Sequence, residues 1–190
     1  AIYAFTSRWK NSASLENCNI ISFRNPGSSK QTSTETAMNL EVTSIPITSV
    51  MALALVGELE VELRQDYPPH YIHELDSESF EASEGIFLVC TEQDNPMGCL
   101  GLRPLSPDTG ELKRMFVRPG FRGRGAGKMM LFEMEKRALR RGFKRIVLET
   151  GNRQIAAIAL YQANGYKAID PYNKASDGPA SVCFCKTLQH

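Results

Sequence analysis

The sequence lacks any apolar run close to the roughly 18–20 residues that a membrane-spanning helix needs. Its longest such run, at positions 50–56, gives way at once to Glu58 and Glu60. It also lacks a charge excess: 22 Lys+Arg against 21 Asp+Glu leave +1 over 190 residues. On bulk charge this excludes a polyanion-binding tail and a strongly basic nucleic-acid protein, so neither a membrane nor a nucleic acid is expected as partner. Cys18, Cys90, Cys99, Cys183 and Cys185 lack paired C-x-x-C spacing, and His70, His73 and His190 do not complete a zinc set, so no metal site is expected. The last four cysteines fall in strand-like segments, where a free thiol packs as a small hydrophobe, and a reducing intracellular compartment fits them best. No internal repeat is visible.

What is there divides in two. Residues 1–37 are rich in Ser, Thr and Asn, carry a Pro26-Gly27 turn and have no sustained period; they read as a loosely packed or disordered extension. Their basic bias resembles that of a mitochondrial transit peptide but lacks a clear amphipathic helix, so the expected location is cytoplasmic, with a mitochondrial one following if this segment is a leader. Residues 38–190 read as one domain.

Within it, 40–45 is a strand that Pro46 ends. Residues 49–64 form a helix with Met51, Leu55, Leu59 and Leu63 as its apolar stripe, opposite Glu58, Glu60 and Glu62. The acidic stretch 65–85 reads as a loop with a short helix near 78–83. Strands at 85–90 and 97–102 flank the turn residues 92–96 and predict a hairpin; another turn at 107–110 precedes a strand over 111–117. A helix after Pro119 buries Met130, Leu131, Met134 and Ala138 and stops at Gly142. Strand 145–150, helix 154–164 with Gly165 as its stop, and a last strand over 181–188 complete the order β-α-(loop)-β-β-β-α-β-α-β-β, a mixed α/β domain.

The chemistry concentrates at 122–128, Arg-Gly-Arg-Gly-Ala-Gly-Lys, between a strand and a helix. Small residues at that junction let main-chain N–H groups face outward at the positive end of a helix dipole, an anion cradle suited to phosphates. A Walker A loop fails, because Arg122 stands where its first glycine belongs and Met129 where its hydroxyl belongs. A dinucleotide G-x-G-x-x-G fails because position 128 is Lys.

The R-G-x-G-x-G run after a strand ending in V-x-P, together with Ala159-Leu160-Tyr161 and Gly165-Tyr166, closely resembles the GNAT superfamily of acyl-CoA-dependent N-acetyltransferases over about residue 38 to the C-terminus. The resemblance implies a mostly antiparallel central sheet with a splayed strand pair, flanked by about four helices, and acetyl-CoA as cofactor. It places the CoA pyrophosphate on Arg122, Gly123, Arg124, Gly125, Ala126, Gly127 and Lys128, and the pantetheine arm on the main chain of Met115, Phe116 and Val117. Gln154 stands where many family members carry Asn, seven residues before Tyr161, and is read as a binder of that arm. Tyr161 occupies the position of the family's general acid. Glu111 is the candidate base, directly or through water, with Glu149 or a water chain as alternatives. Strand alternation puts Glu111, Lys113 and Met115 on one face and Leu112, Arg114 and Phe116 on the other, so Lys113 is expected to keep Glu111 ionised yet acidic.

Residues 111–149 carry twelve basic and four acidic side chains, +8, which leaves −7 for the remainder. Steering of a phosphorylated cofactor accounts for the basic half, and the acidic 65–85 stretch is a candidate attractant for a cationic amine, with Tyr172 and the loop 171–180 at the rim. The expected activity is acetyl transfer to a small-molecule primary amine in a ternary complex; a protein lysine or N-terminus, or a catalytically silent CoA-binding domain, are the alternatives. The pattern also allows a homodimer.

Overall fold

The computed structural model describes residues 40–72, 75–173 and 179–189; the N-terminal segment read as an extension, Cys18, His73 and His190 lie outside the described residues. Among the described residues, seven strands form one sheet in the order β1-β2-β3-β4-β5-β7-β6. They are β1 (Leu40–Ser44), β2 (Ile86–Glu92), β3 (Asn95–Ser106), β4 (Thr109–Val117), β5 (Arg145–Gly151), β6 (Lys167–Ile169) and β7 (Ser181–Thr187). Every neighbouring pair is antiparallel except β4 and β5. The expected mixed, mostly antiparallel architecture is present, with the helices α1 (Val50–Asp66), α2 (Ser77–Ala82), α3 (Ala126–Arg140) and α4 (Ile155–Ala163). The short β6, to which the sequence assigned no bounds, supplies the penultimate strand.

Strand alternation sorts the core into two layers. On one face Met130, Leu131, Met134 and Ala138 of α3 and Tyr161 of α4 pack on Leu88, Leu100, Leu112, Ile146 and Leu148; on the other Leu55 and Leu59 of α1 and Phe80 of α2 pack on Phe87, Val89, Cys99 and Phe116. Helix α1 starts where the Ser49 hydroxyl accepts the Ala52 N–H at 3.3 Å and stops at Tyr67, which precedes Pro68 and is held extended. Its buried line is Ala52, Leu55 and Leu59; Met51, expected in the stripe, is 39% exposed. The reason is the 3.6-residue turn: a strict spacing of four drifts by about 40° per step, and Ala52 lies nearer the centre of the buried face. Nor do Glu58, Glu60 and Glu62 stand opposite the core: they ion-pair Arg118, Arg114 and Arg122 across the sheet end. Such partly exposed pairs are worth about 0–1 kcal/mol each, against about 1.5–3 kcal/mol for each buried leucine, so apolar burial seats α1 and the pairs only orient its edge.

The turn between β2 and β3 is tighter than the expected 92–96: Gln93 and Asp94 alone make it, both at positive φ, and Asn95 and Pro96 already belong to β3. Behind the C-terminus of α1, the Tyr67 phenol oxygen accepts the Arg153 N–H at 2.6 Å and lies flat against Gly151, where a Cβ would collide with it. Gly151→Ala is therefore expected to lower unfolding stability by about 1–3 kcal/mol in urea titrations; a variant as stable as the parent would show that this contact gives way freely.

Candidate active site

The parallel pairing of β4 with β5 runs only from Thr109 opposite Arg145 to Leu112 opposite Leu148. Beyond it the strands separate: β5 stays paired with β7 along its whole length to Gly151, while β4 carries a bulge that bends it away. The bulge sits at Arg114, whose φ is +58°, and it shifts the β3–β4 register between Cys99 opposite Phe116 and Gly101 opposite Lys113. An inserted residue bends a strand and inverts the parity of everything after it. Met115 and Val117 accordingly pack with Leu112 on the α3 side and Phe116 on the α1 side, which corrects the expectation that Met115 shares a face with Glu111. Past Leu112, β4 has no strand partner on its β5 side among the described residues.

A cavity of about 260 Å³ opens in this gap. It brings together Met115, Phe116, Val117, Arg122, Gly123, Gly125, Ala126, Gly127, Lys128 and Gln154, all of them expected cofactor contacts, with Leu59, Glu62, Phe121, Ala156, Ala157 and Leu160. The loop owes its form to Gly123 and Gly125, at φ +75° and +88° in open space, a conformation that L side chains rarely adopt. The first bond of the α3 ladder runs from the Met129 N–H to the Gly125 carbonyl at 3.0 Å, so the N–H groups of Ala126, Gly127 and Lys128 precede that ladder. No acidic residue occupies the first turn of α3, and no side chain caps it. Unladdered N–H donors at the positive end of a helix, beside an open strand edge, suit a group that combines a diphosphate with an amide-bearing arm.

The side chains are more committed than the backbone. Arg122 donates from Nε to the Val117 carbonyl at 2.8 Å and from Nη2 to Glu62 at 2.5 Å. Gln154 donates from Nε2 to Asp66 at 3.0 Å. Arg124 does not line the cavity: its guanidinium bonds Glu92 at 2.7 Å and lies over the Phe121 ring.

Tyr161 and Glu111 also lie outside the lining. Tyr161 is 4% exposed in the core beside α3, its ring 5.6 Å from that of Tyr166 and 6.1 Å from that of Phe184, and burial pushes its phenol well above the ordinary range. Glu111 is fully buried on the same face as Lys113. Its Oε2 accepts Arg103 Nε at 2.7 Å, and its Oε1 accepts Lys113 Nζ at 2.9 Å and the Tyr172 hydroxyl at 2.8 Å. Burial pushes this carboxyl up, but the charges of Lys113 and Arg103 outweigh it and leave the group below the usual carboxylate value. Glu149 accepts the Ser181 hydroxyl at 2.6 Å. Leu59, Glu62, Phe121, Ala156, Ala157 and Leu160 line the cavity without having been expected there; for Glu62 the one local signal is the four-residue spacing of Glu58 and Glu62, matched by Arg118 and Arg122.

A mixed sheet parted at its parallel pair, with an anion cradle at the mouth, is the architecture of an acyl-CoA-dependent acyltransferase. Known proteins agree. The profile of the Acetyltransferase (GNAT) family matches residues 54–166. An IAA acetyltransferase of Azospirillum brasilense is 33% identical over 138 residues, 70% of this chain and 88% of that protein. Among solved structures, a candidate acyl-CoA N-acyltransferase of Klebsiella pneumoniae superposes with a TM-score of 0.68 at 27% identity, covering 80% of this chain and 99% of the other. A GNAT family acetyltransferase of Elizabethkingia anophelis with acetyl-CoA bound has the same fold, with a TM-score of 0.59 at 18% identity over 79% of this chain and 99% of that one. The chain belongs to the GNAT family of N-acetyltransferases. Among the described residues no helix is long and apolar enough to cross a membrane.

Proposed function

We propose that residues 38–190 form a catalytic domain that transfers the acetyl group to the primary amine of a small molecule by direct attack in a ternary complex. The observation that carries this reading is the cavity in which the glycine loop, the open edge of β4 and the start of α4 meet. The N–H groups at 123–128 bind the diphosphate, the β4 main chain at Met115, Phe116 and Val117 aligns the arm, and Gln154 contacts the arm from α4. Arg124 acts through the loop it steadies on Glu92 and Phe121. Acetyl-CoA supplies a thioester carbonyl already activated for attack.

Two proton tasks fall to the protein. An alkylamine, which in water titrates near about 10.4, must lose a proton, and a thiolate that titrates near about 8.5 must gain one. Tyr161, held protonated by its burial and next in α4 to the cavity-lining Leu160, is assigned as the donor toward the sulfur, to be reached once the cofactor arm fills the gap. Glu111 is fully buried and held by Arg103, Lys113 and Tyr172, so it shapes the acceptor side by fixing those three groups, and the amine proton leaves through water.

Isothermal titration with acetyl-CoA, followed by an amine panel read by free thiol release, tests the reading. At about 100 times Kd the cofactor adds about 2.7 kcal/mol, which for a domain of this size raises Tm by roughly 5–10 °C. No binding and no thermal shift would end the assignment of this cavity; release only with peptides would move the acceptor class to proteins.

A further inference from the structure

Helix α1 meets the cavity along one edge. Glu58, Glu62 and Asp66 follow one another at four-residue spacing on one side of the helix, and Glu62 and Asp66 each bond a group that lines the cavity. Glu58 accepts two bonds from Arg118, at 2.7 and 2.8 Å; Glu62 accepts from Arg122 Nη2; Asp66 accepts from Gln154 Nε2. Because these pairs are partly exposed, they add little to stability, and their effect must be sought in what they occupy. Two of the side-chain donors that face the cofactor, Arg122 and Gln154, are already held by anionic oxygens of the kind a diphosphate presents. Glu62 itself lines the cavity and places a negative charge where a polyanion must enter.

We infer that Glu62 is an internal competitor of the cofactor's diphosphate at Arg122. In the free chain its carboxylate holds the guanidinium; on cofactor binding Arg122 exchanges that carboxylate for a phosphate oxygen. The bond from Arg122 Nε to the Val117 carbonyl survives the exchange, so the guanidinium stays anchored to β4 and only its outer nitrogens change partner. Arg122 is then the ligand and Glu62 a positioning residue that sets cofactor affinity. This inference rests on the reading that acetyl-CoA occupies the cavity.

Isothermal titration of CoA into the full chain and its variants tests the exchange. Glu62→Gln keeps the shape and removes the charge, and should tighten CoA by about three- to fivefold, the scale of one partly exposed ion pair. In an Arg122→Gln background the same change should tighten CoA by less than about twofold, since only the repulsion of the bare charge is then relieved and no guanidinium is left to release. A purely structural Glu62 would move affinity the other way, so weaker or unchanged binding by Glu62→Gln overturns the inference. Equal tightening with and without Arg122 also overturns it, by reducing Glu62 to a bare repulsive charge. A parent chain that fails to bind CoA would remove the cavity assignment itself, and the exchange with it.

Discussion

Replacing Tyr161 with phenylalanine is expected to lower kcat by about 10²–10⁴-fold, the usual scale of a positioned proton donor, while affinity for CoA is unchanged. The substitution suits the site, because the ring packs edge-on to Tyr166 and against Phe184 and phenylalanine keeps both contacts. Only the hydroxyl is lost. The buried phenol stays protonated across the neutral range, so it can donate there but cannot accept a proton, and the loss should be uniform from about pH 6 to 9. A fall in kcat with an unchanged KM for acetyl-CoA places the lost interaction in the transition state. Turnover equal to that of the parent across every accepted amine would take Tyr161 out of the mechanism.

The second large effect is on stability. Glu111→Gln leaves Arg103, Lys113 and Tyr172 facing a neutral amide, and removing one partner of a buried ionic cluster costs about 3–5 kcal/mol. The lower end applies, because the Arg103 and Lys113 side chains keep 39% and 20% of their exposure and can turn partly to water. The folded pKa of Glu111 lies below its ordinary value, so its stabilisation is complete above an unfolded carboxylate pKa of about 4.3 and is lost as pH falls through the folded one. Urea titrations at about pH 7 should therefore separate parent and variant widely, and at about pH 3 the gap should narrow. A constant gap would mean that the ionisation of Glu111 is not the source of the difference. A variant that retains its fold but turns over slowly, with an altered pH–rate profile, would place Glu111 in the water-mediated proton path.

The glycine loop was legible in the sequence because its constraint is local: positive φ at Gly123 and Gly125, and a helix that starts just after them, are written into seven consecutive positions. The same holds for the break at Pro46 and the buried cysteines of β2, β3 and β7, each set by one residue type and its neighbours. The face of Met115 was not legible. Alternation is sound only while a strand stays regular, and the bulge at Arg114 is decided by the register against β3, a partner whose alignment no single segment contains.

Fold class, the glycine loop at the start of α3 and family membership could be read from the residues alone, because they depend on short-range periodicity and on residues adjacent in the chain. Only the tertiary structure decided that β4 and β5 part beyond Leu112, that α1 brings Glu62 to Arg122 across sixty residues, and that Glu111 sits buried among two cations and a phenol. Those contacts join segments far apart in sequence. Their geometry follows from how the helices pack on a twisted and bulged sheet, and no local pattern carries that information.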